Sequence, residues 1–166
     1  MTNDRLRMTI AALTMLAGMT GLAGCRRSEP KPDVQEQIAM LQGESEEDRY
    51  LALANLQSLA ADGGEAVEPL RTLLRQTKDD TLAGEIATTL GCMGPSAAAA
   101  VPELSGLLGR TTMWPRYAAV KALGSMGPAA APALPAILRL TNDQDRDVAA
   151  AARESARRLQ RSAKPK

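Results

Sequence analysis

Histidine and phenylalanine are absent from this chain of 166 residues, and aromatic residues make up only 2% of it. Without histidine the chain cannot form a Ser-His-Asp triad, a Cys-His pair or the commonest zinc sites. It also has no glycine-rich phosphate-binding loop. We therefore predict a protein that is not an enzyme and has no cofactor, no metal ion and no small-molecule substrate.

Cysteine is nearly as scarce, because Cys25 and Cys92 are the only two. If Cys25 is modified as described below, Cys92 has no partner for an internal disulfide, and the fold must be stable without one. Neither a histidine nor an adjacent cation is available to activate the Cys92 thiol. We interpret Cys92 as a small packed side chain rather than a reactive one.

What the chain has instead is a composition that favours helices. Hydrophobic residues reach 45% of the sequence, largely as Ala, Leu and Met. Such side chains suit closely packed helices better than strands, which favour β-branched and aromatic residues. The length is sufficient for one domain.

The first 24 residues have the composition of an export signal. Arg5 and Arg7 provide a positively charged end, a mostly apolar run of 12 residues extends over 8–19, and small residues precede Cys25. The run is short for a membrane span, which needs about 20 residues. The chain has 20 basic and 19 acidic residues. Removal of residues 1–24 takes away two basic residues and one acidic residue, which leaves 18 of each. This balance argues against a nucleic-acid partner.

The tetrapeptide Leu22-Ala23-Gly24-Cys25 resembles the lipobox of bacterial lipoproteins. The resemblance implies a signal peptide cleaved before Cys25, and acyl chains such as palmitate on Cys25 that hold the protein at a membrane. Arg26 and Arg27 follow in place of an inner-membrane retention Asp. We expect the periplasmic side of the outer membrane in a cell with two membranes, and otherwise the outer face of the cell membrane. The alternative is an ordinary secretory leader with an unmodified Cys25 thiol.

An internal repeat organises the remainder of the chain. Leu90-Gly91-Cys92-Met93-Gly94-Pro95 recurs as Leu123-Gly124-Ser125-Met126-Gly127-Pro128, 33 positions later. A period of this length indicates stacked units that bury their apolar faces against one another. Alignment on apolar positions makes Leu56, Leu90, Leu123 and Ala156 equivalent. The residues eleven positions earlier are all good helix N-caps, namely Ser45, Asp79, Thr112 and Asp145.

This register predicts pairs of helices. First helices are expected at about 46–60, 80–93, 113–126 and 146–161, and second helices at about 65–76, 96–109 and 129–141. Pro102 and Pro135 fall inside second helices, so we expect an Ala-rich opening turn before each main helix. The predicted domains are a signal peptide (1–24), a tether (25–32), an N-terminal capping helix (33–43), a repeat domain (45–161) and a disordered tail (162–166).

The units resemble HEAT repeats, in particular the phycobilisome-lyase HEAT-like type. The family's middle segment matches Arg116-Tyr117-Ala118-Ala119-Val120-Lys121-Ala122-Leu123-Gly124, its end matches Ala100-Val101-Pro102-Glu103-Leu104, and its start matches Asp145-Arg146-Asp147-Val148. The resemblance implies an all-α fold, a right-handed α-solenoid of HEAT-like helix pairs with about three and a half repeats. Arg49 and Arg116 occupy the family's Arg position, whereas Ala83 and Ala149 should weaken a polar ladder through it.

Two charged clusters near the C-terminus suggest ligands. Asp143, Asp145 and Asp147 with Glu154 reproduce the spacing of calcium-loop ligands, but Val148 stands where such a loop needs glycine. We interpret these acids as helix-start residues that the helix dipole favours.

The second cluster is basic. Arg153, Arg157 and Arg161 are four residues apart and share one face of the last predicted helix. They are candidates for contact with anionic lipid or an acidic polymer. The alternative is a solvated face that caps the array.

Three aromatic residues are candidate anchors of a binding surface. Tyr50 and Tyr117 share one repeat position, with Gly84 between them in the register, and an interhelical seam is the alternative place for both tyrosines. Trp114 lies in the first turn of the third unit, where we expect exposure.

We predict a membrane-anchored scaffold or protein-binding module. Partner contacts are predicted from the second helices at Glu68, Arg71, Arg75 and Glu103. The alternatives are an envelope structural protein that binds wall polymer or anionic lipid, and a non-catalytic subunit of a lyase-type enzyme.

Overall fold

The computed structural model describes residues 32–59 and 64–162, and the regular structure in these ranges is entirely helical. Cys25 and most of the tether and tail lie outside them. The helices are α1 (Val34–Leu41), α2 (Glu46–Leu59), α3 (Val67–Gln76), α4 (Asp80–Met93), α5 (Val101–Leu107), α6 (Met113–Met126), α7 (Leu134–Arg139) and α8 (Arg146–Ser162). Short 3₁₀ segments occupy 64–66, Gly94–Ala100, Gly127–Ala133 and Leu140–Asn142. Within the described ranges, no helix combines the length and the apolar composition that a bilayer span requires.

The first helices α2, α4, α6 and α8 each begin one residue after a predicted cap. At Ser45, Asp79 and Asp145 a side-chain oxygen accepts a hydrogen bond from a backbone N–H of the first turn, over 2.8 to 3.2 Å. Thr112 has the extended backbone of an N-cap but makes no such bond. Its hydroxyl donates instead to the carboxylate of Asp80 in the preceding unit. The prediction of a side-chain cap is therefore wrong at Thr112, because a carboxylate competes for its hydroxyl.

The second helices of the second and third units are split as predicted. Pro102 and Pro135 are each the second residue of α5 and α7, where a missing backbone N–H breaks no helical hydrogen bond. Each is preceded by a 3₁₀ segment that opens at Gly94 or Gly127. These two glycines have φ of 57° and 61°, a region that favours glycine. The repeated Gly-Pro sequence therefore produces the same turn twice.

The core is built from leucine and alanine on the facing sides of the first helices. The equivalent residues Leu56, Leu90 and Leu123 are fully buried. Helix α1 packs on α2 and α3 at the N-terminal end, where Asp33 caps it by accepting a hydrogen bond from its first turn. The buried Gln37 of α1 accepts a hydrogen bond from Asn55 of α2 at 2.9 Å.

Glycine sets the distance between the inner first helices. A Cβ atom on Gly91 of α4 would lie 2.9 Å from the Ala122 Cα of α6, and one on Gly124 of α6 would lie 2.4 Å from the Ser155 Oγ of α8. In the first unit the same repeat position holds Gln57, whose amide donates to the Thr89 hydroxyl of α4 at 3.1 Å. The two inner contacts are therefore closer than any larger residue would allow.

A buried ion pair joins the third unit to the fourth. The Arg116 guanidinium donates to Asp143 Oδ1 at 2.8 Å and to Oδ2 at 3.0 Å, and both side chains are buried. Arg116 also donates to the backbone carbonyls of residues 110, 111 and 112. Hydrogen bonds from Arg116 hold the pKa of the Asp143 carboxyl below its usual range, against the raising effect of burial. The Arg116 side chain therefore bridges two consecutive loops.

The second unit has Ala83 at the position equivalent to Arg116, and the bridging side chain comes instead from the loop that follows the unit. Arg110, in the loop before α6, donates to Asp80 Oδ1 at 2.8 Å and to the Thr77 carbonyl at 3.3 Å. We expected Ala83 to weaken a polar ladder through its position, and at this interface a guanidinium from the following loop makes the bridge instead.

Candidate functional site

A surface groove of about 300 Å³ lies between the first helices of the third and fourth units. Helix α6 contributes Trp114 and Tyr117, and α8 contributes Ala150 and Ala151. Ala150 occupies the repeat position that Tyr50 and Tyr117 hold in the first and third units. The groove exists because the fourth unit has a methyl group where two other units have a phenol ring.

The two aromatic rings of the groove support each other. The Trp114 and Tyr117 rings are stacked, with centroids 6.2 Å apart and planes inclined by 22°. Trp114 is half-buried because its indole lies over Gly84 of α4, where a Cβ atom would be 2.1 Å from the indole Nε1. A second groove, of about 330 Å³ between α4 and α6, includes the same two rings in its lining. Trp114 and Tyr117 therefore form a ridge between two neighbouring grooves.

Cys92 lies at the edge of this second groove and is exposed. The expectation of a packed Cys92 is therefore wrong. Its repeat equivalent Ser125 is also exposed, so this position is on the solvent side of both helices even though the next residue, Met93 or Met126, is buried.

The rim of the α6–α8 groove is charged. Lys121 of α6 and Glu154 of α8 are equivalent repeat positions and both line it, as does Asp147 at the start of α8. Glu154 is paired with Arg158 at 2.8 Å. Within the described part of the chain, the Asp147 carboxylate has no ion-pair partner. The groove thus combines an aromatic wall with one carboxylate that is free to receive a cation.

The acids whose spacing resembles a calcium loop make separate contacts in the structure and do not converge on one site. Asp143 pairs with Arg116, and Asp145 caps α8, so each of these carboxylates already has a role in folding. Asp147 and Glu154 line the groove instead. No group of three or more cysteines or carboxylates in the ranges 32–59 and 64–162 is arranged to hold a metal ion.

The four candidate contacts of the second helices lie together and bind one another. Arg71 makes a bidentate contact with Glu103 at 3.0 and 3.2 Å and also pairs with Glu68, and Arg75 donates to Glu103 at 2.7 Å. Burial raises the pKa of Glu103, but hydrogen bonds from Arg71 and Arg75 outweigh it and hold the pKa below its usual range. A partner at this surface would have to compete with these pairs, and these residues remain predicted contacts.

The arginine stripe of α8 is exposed, as an outward helix face should be. Arg153, Arg157 and Arg161 form no ion pair with any carboxylate that the structure describes, and the Arg157 Nε donates to the Arg153 carbonyl at 3.2 Å. Arg157 occupies the repeat position of Gly91 and Gly124. Any partner of this stripe would meet three unpaired guanidinium groups.

Sequence reasoning identified Trp114 as a binding anchor but not the groove around it. Met113, Lys121, Asp147 and Ala150 were missed as site residues. The available signal was the substitution of Ala150 for tyrosine at a repeated position, because a lost ring between adjacent helices predicts a gap.

The model of the PBS lyase HEAT-like repeat family matches residues 115–143. This stretch covers most of the third helix pair, which has the same helix order and turns as the second. The described chain has an all-α HEAT-repeat fold. No curated protein sequence matches the chain.

Solved structures with TM-scores above 0.6 share the fold of this HEAT-like array. An engineered protein has a TM-score of 0.62 and 20% identity, with coverage of 78% of this chain and 63% of that chain. Human deoxyhypusine hydroxylase in complex with glycerol has a TM-score of 0.61 and 24% identity, with coverage of 92% and 54%. The complex of CpcE and CpcF of phycocyanin lyase from Nostoc sp. PCC7120 has a TM-score of 0.44 and 22% identity, with coverage of 86% and 71%. The chain thus spans less than two thirds of the first two proteins.

Proposed function

We propose that this HEAT-like array is a non-catalytic, protein-binding scaffold and that its partner occupies the α6–α8 groove. The observation that carries the proposal is the half-buried aromatic ridge of Trp114 and Tyr117 beside a gap of about 300 Å³. Tryptophan and tyrosine are enriched among the residues that contribute most to protein-protein binding. Met113, 40% exposed at the mouth of the groove, adds an adaptable apolar contact.

The groove is a better surface for a partner than the second helices, because the charged side chains of the second helices already have partners within the chain. The charged side chains of α3 and α5 are paired with one another, so a partner would gain little by replacing those pairs. The groove offers the part of the Trp114 and Tyr117 rings that other residues of the chain leave uncovered. Burying such area is the main source of association free energy.

A site-specific photo-crosslinking experiment distinguishes the two surfaces. The photoreactive residue p-benzoylphenylalanine replaces Met113 at the groove or, as a matched control, Leu138 on α7, since the two side chains are 40% and 43% exposed. We expect one protein adduct from Met113 in irradiated cells and none from Leu138. The same adduct from Leu138 alone would place the partner on the second helices and refute the groove.

We further propose that Cys25 carries a lipid anchor that holds the array at the cell envelope. Support comes from the sequence order of positive end, apolar run, small residues and cysteine. The intact mass of the mature chain should exceed the peptide mass by two or three acyl chains. Cys25→Ser should release the protein from membranes. An unmodified mass would refute the anchor without affecting the groove.

A second candidate function uses the arginine stripe, because three exposed guanidinium groups lack acidic partners in the described chain. This stripe would bind an anionic envelope polymer or lipid surface. Arg153→Glu with Arg157→Glu should abolish co-sedimentation of the delipidated protein with anionic vesicles. The control pair Arg139→Glu with Lys78→Glu changes the net charge equally at exposed positions elsewhere. Equal losses from both pairs would reduce the effect to net charge and refute the site.

A further inference from the structure

The α6–α8 groove has a composition that selects the charge of its occupant. Its lining includes the stacked Trp114 and Tyr117 rings and two carboxylates, Asp147 and Glu154, against one ammonium group, Lys121. Glu154 is paired with Arg158, which leaves Asp147 as the carboxylate without an ion-pair partner in the described chain. Trp114 and Asp147 occupy equivalent repeat positions on adjacent first helices, so the free carboxylate is level with the indole.

We infer that this groove binds an arginine side chain of the protein partner. The inference rests on the proposed function and names the chemistry of its central contact. A guanidinium group can stack on the face of an indole or phenol ring, which carries negative electrostatic potential. Its planar N–H fork can meet a carboxylate such as Asp147 with two hydrogen bonds. The groove therefore offers a contact to the flat face of the guanidinium group and another to its N–H groups.

Other occupants fit the groove less well. An acidic side chain would be repelled by Asp147 and would find one cation in the lining, Lys121, together with a second carboxylate, Glu154. A purely apolar side chain would cover the rings but would desolvate the Asp147 carboxylate without replacing its hydrogen bonds, at a net cost. Lysine supplies the charge but lacks the flat surface that stacks on aromatic rings, so arginine should bind more tightly than lysine.

The test uses the single tryptophan of the chain, so that one indole resonance reports on the groove. The ¹⁵N-labelled protein in detergent micelles is titrated with N-acetyl-arginine amide, and the Trp114 indole N–H signal is followed by NMR. N-acetyl-citrulline amide is the matched ligand, because it keeps the shape and planarity of the side chain and removes the charge. We expect a saturable shift with arginine, and a dissociation constant roughly threefold to tenfold larger with citrulline.

Two variants locate the interaction. Asp147→Asn is exposed and makes no side-chain cap, so it should fold normally and weaken arginine binding roughly threefold or more. Ala150→Tyr fills the groove with the residue found at the same position in α6 and should abolish the shift. Ala54→Tyr, at an exposed alanine of α2, is its control and should bind arginine like the unmodified protein.

The outcomes separate this inference from the proposed function. Equal binding of arginine and citrulline would show that charge is not recognised and would overturn the inference. No saturable shift with either ligand would also overturn it, yet a Met113 crosslink would leave the groove in place as a partner site. Loss of both the shift and the crosslink would refute both proposals.

Discussion

Arg49 and Arg116 occupy the same position of their repeat units, and their surroundings are very different. Arg116 is buried and forms a bidentate pair with Asp143. Arg49 is half-buried and, within the part of the chain that the structure describes, donates only to the carbonyls of Glu44 and Ser45, at 3.0 and 3.4 Å. Arginine at one repeat position therefore contributes to stability in two different ways. In the third unit it joins consecutive loops, and in the first unit it stabilises only its own helix start.

The same contrast holds at two other positions of these helices, the next residue and the residue two turns later. Gln57 of the first unit reaches the second unit through a hydrogen bond, where Gly124 of the third unit lets α8 approach directly. Tyr50 is 37% exposed, whereas Tyr117 stacks on Trp114. The C-terminal units are therefore tied together by buried charge and close helix contact, and the candidate groove lies on this more constrained part of the array.

The largest expected effect compares the two arginines directly. Arg116→Ala should lower the free energy of unfolding by about 3 to 5 kcal/mol, because it leaves the Asp143 carboxylate buried without a partner. Arg49→Ala should cost less than about 1 kcal/mol, since only carbonyl contacts at a half-buried site are lost. Urea denaturation followed by circular dichroism measures both. Similar losses from the two variants would remove the contrast between the units.

The next effect concerns helix spacing. Gly91→Ala should destabilise the protein by about 1 to 3 kcal/mol, since its Cβ would press on the backbone of Ala122 and this outweighs the better helix propensity of alanine. Gln57→Ala, which introduces alanine at the same repeat position, should cost about 0.5 to 1 kcal/mol, because it removes the hydrogen bond to Thr89 without adding a close contact. If Gly91→Ala were neutral in thermal unfolding, the close contact between α4 and α6 would not limit the packing.

A smaller effect is the pH dependence of stability. The pKa of Asp143 is lower in the folded protein than the value of about 3.9 in an unfolded chain, so the unfolded state takes up the proton at a higher pH. The contribution of this pair is complete above pH 5 and is lost as the pH falls through the folded pKa. Asp143→Asn should therefore show a flatter loss of stability below about pH 4 than the unmodified protein. Parallel curves for the two proteins would argue against a buried ion pair.

The smallest expected change in stability accompanies a large change in binding. Ala150→Tyr gives the fourth unit the side chain of the third and should alter the free energy of unfolding by about 0.5 kcal/mol or less, because Ala150 is exposed. It should also eliminate the partner crosslink from Met113. Retention of the crosslink would place the partner outside the groove. The Ala54→Tyr control should keep the crosslink, which would show that an added ring elsewhere does not remove it.

The helix pairs were predictable because the signals were local or periodic. Capping residues, the Gly-Pro turns and the leucine positions each depend on a few neighbouring residues, and the register assembled them correctly into α2, α4, α6 and α8. The prolines of α5 and α7 also behaved as their chemistry requires. These parts of the fold needed no knowledge of which surfaces meet.

The groove and the polar bridges depend on which side chains meet across units, and here sequence reasoning fell short. The hydroxyl of Thr112 was assigned to its own helix because Asp80, 32 residues away, was not known to be within reach. The indole of Trp114 was placed from its turn alone, without the empty space above Gly84 that accepts it. Such contacts can be inferred only after the inter-unit register has been converted into facing pairs.

Arg157 gives α8 an outer edge that differs from those of α4 and α6. At Gly91 and Gly124 the absence of a side chain lets the following first helix pack closely. In α8 the equivalent residue, Arg157, has a long charged side chain. A helix of another molecule could pack on this edge as closely as α6 packs on α4 only by displacing a hydrated guanidinium group. Arg157 therefore gives α8 a charged, hydrated outer edge in place of the close helix contact that Gly91 and Gly124 allow.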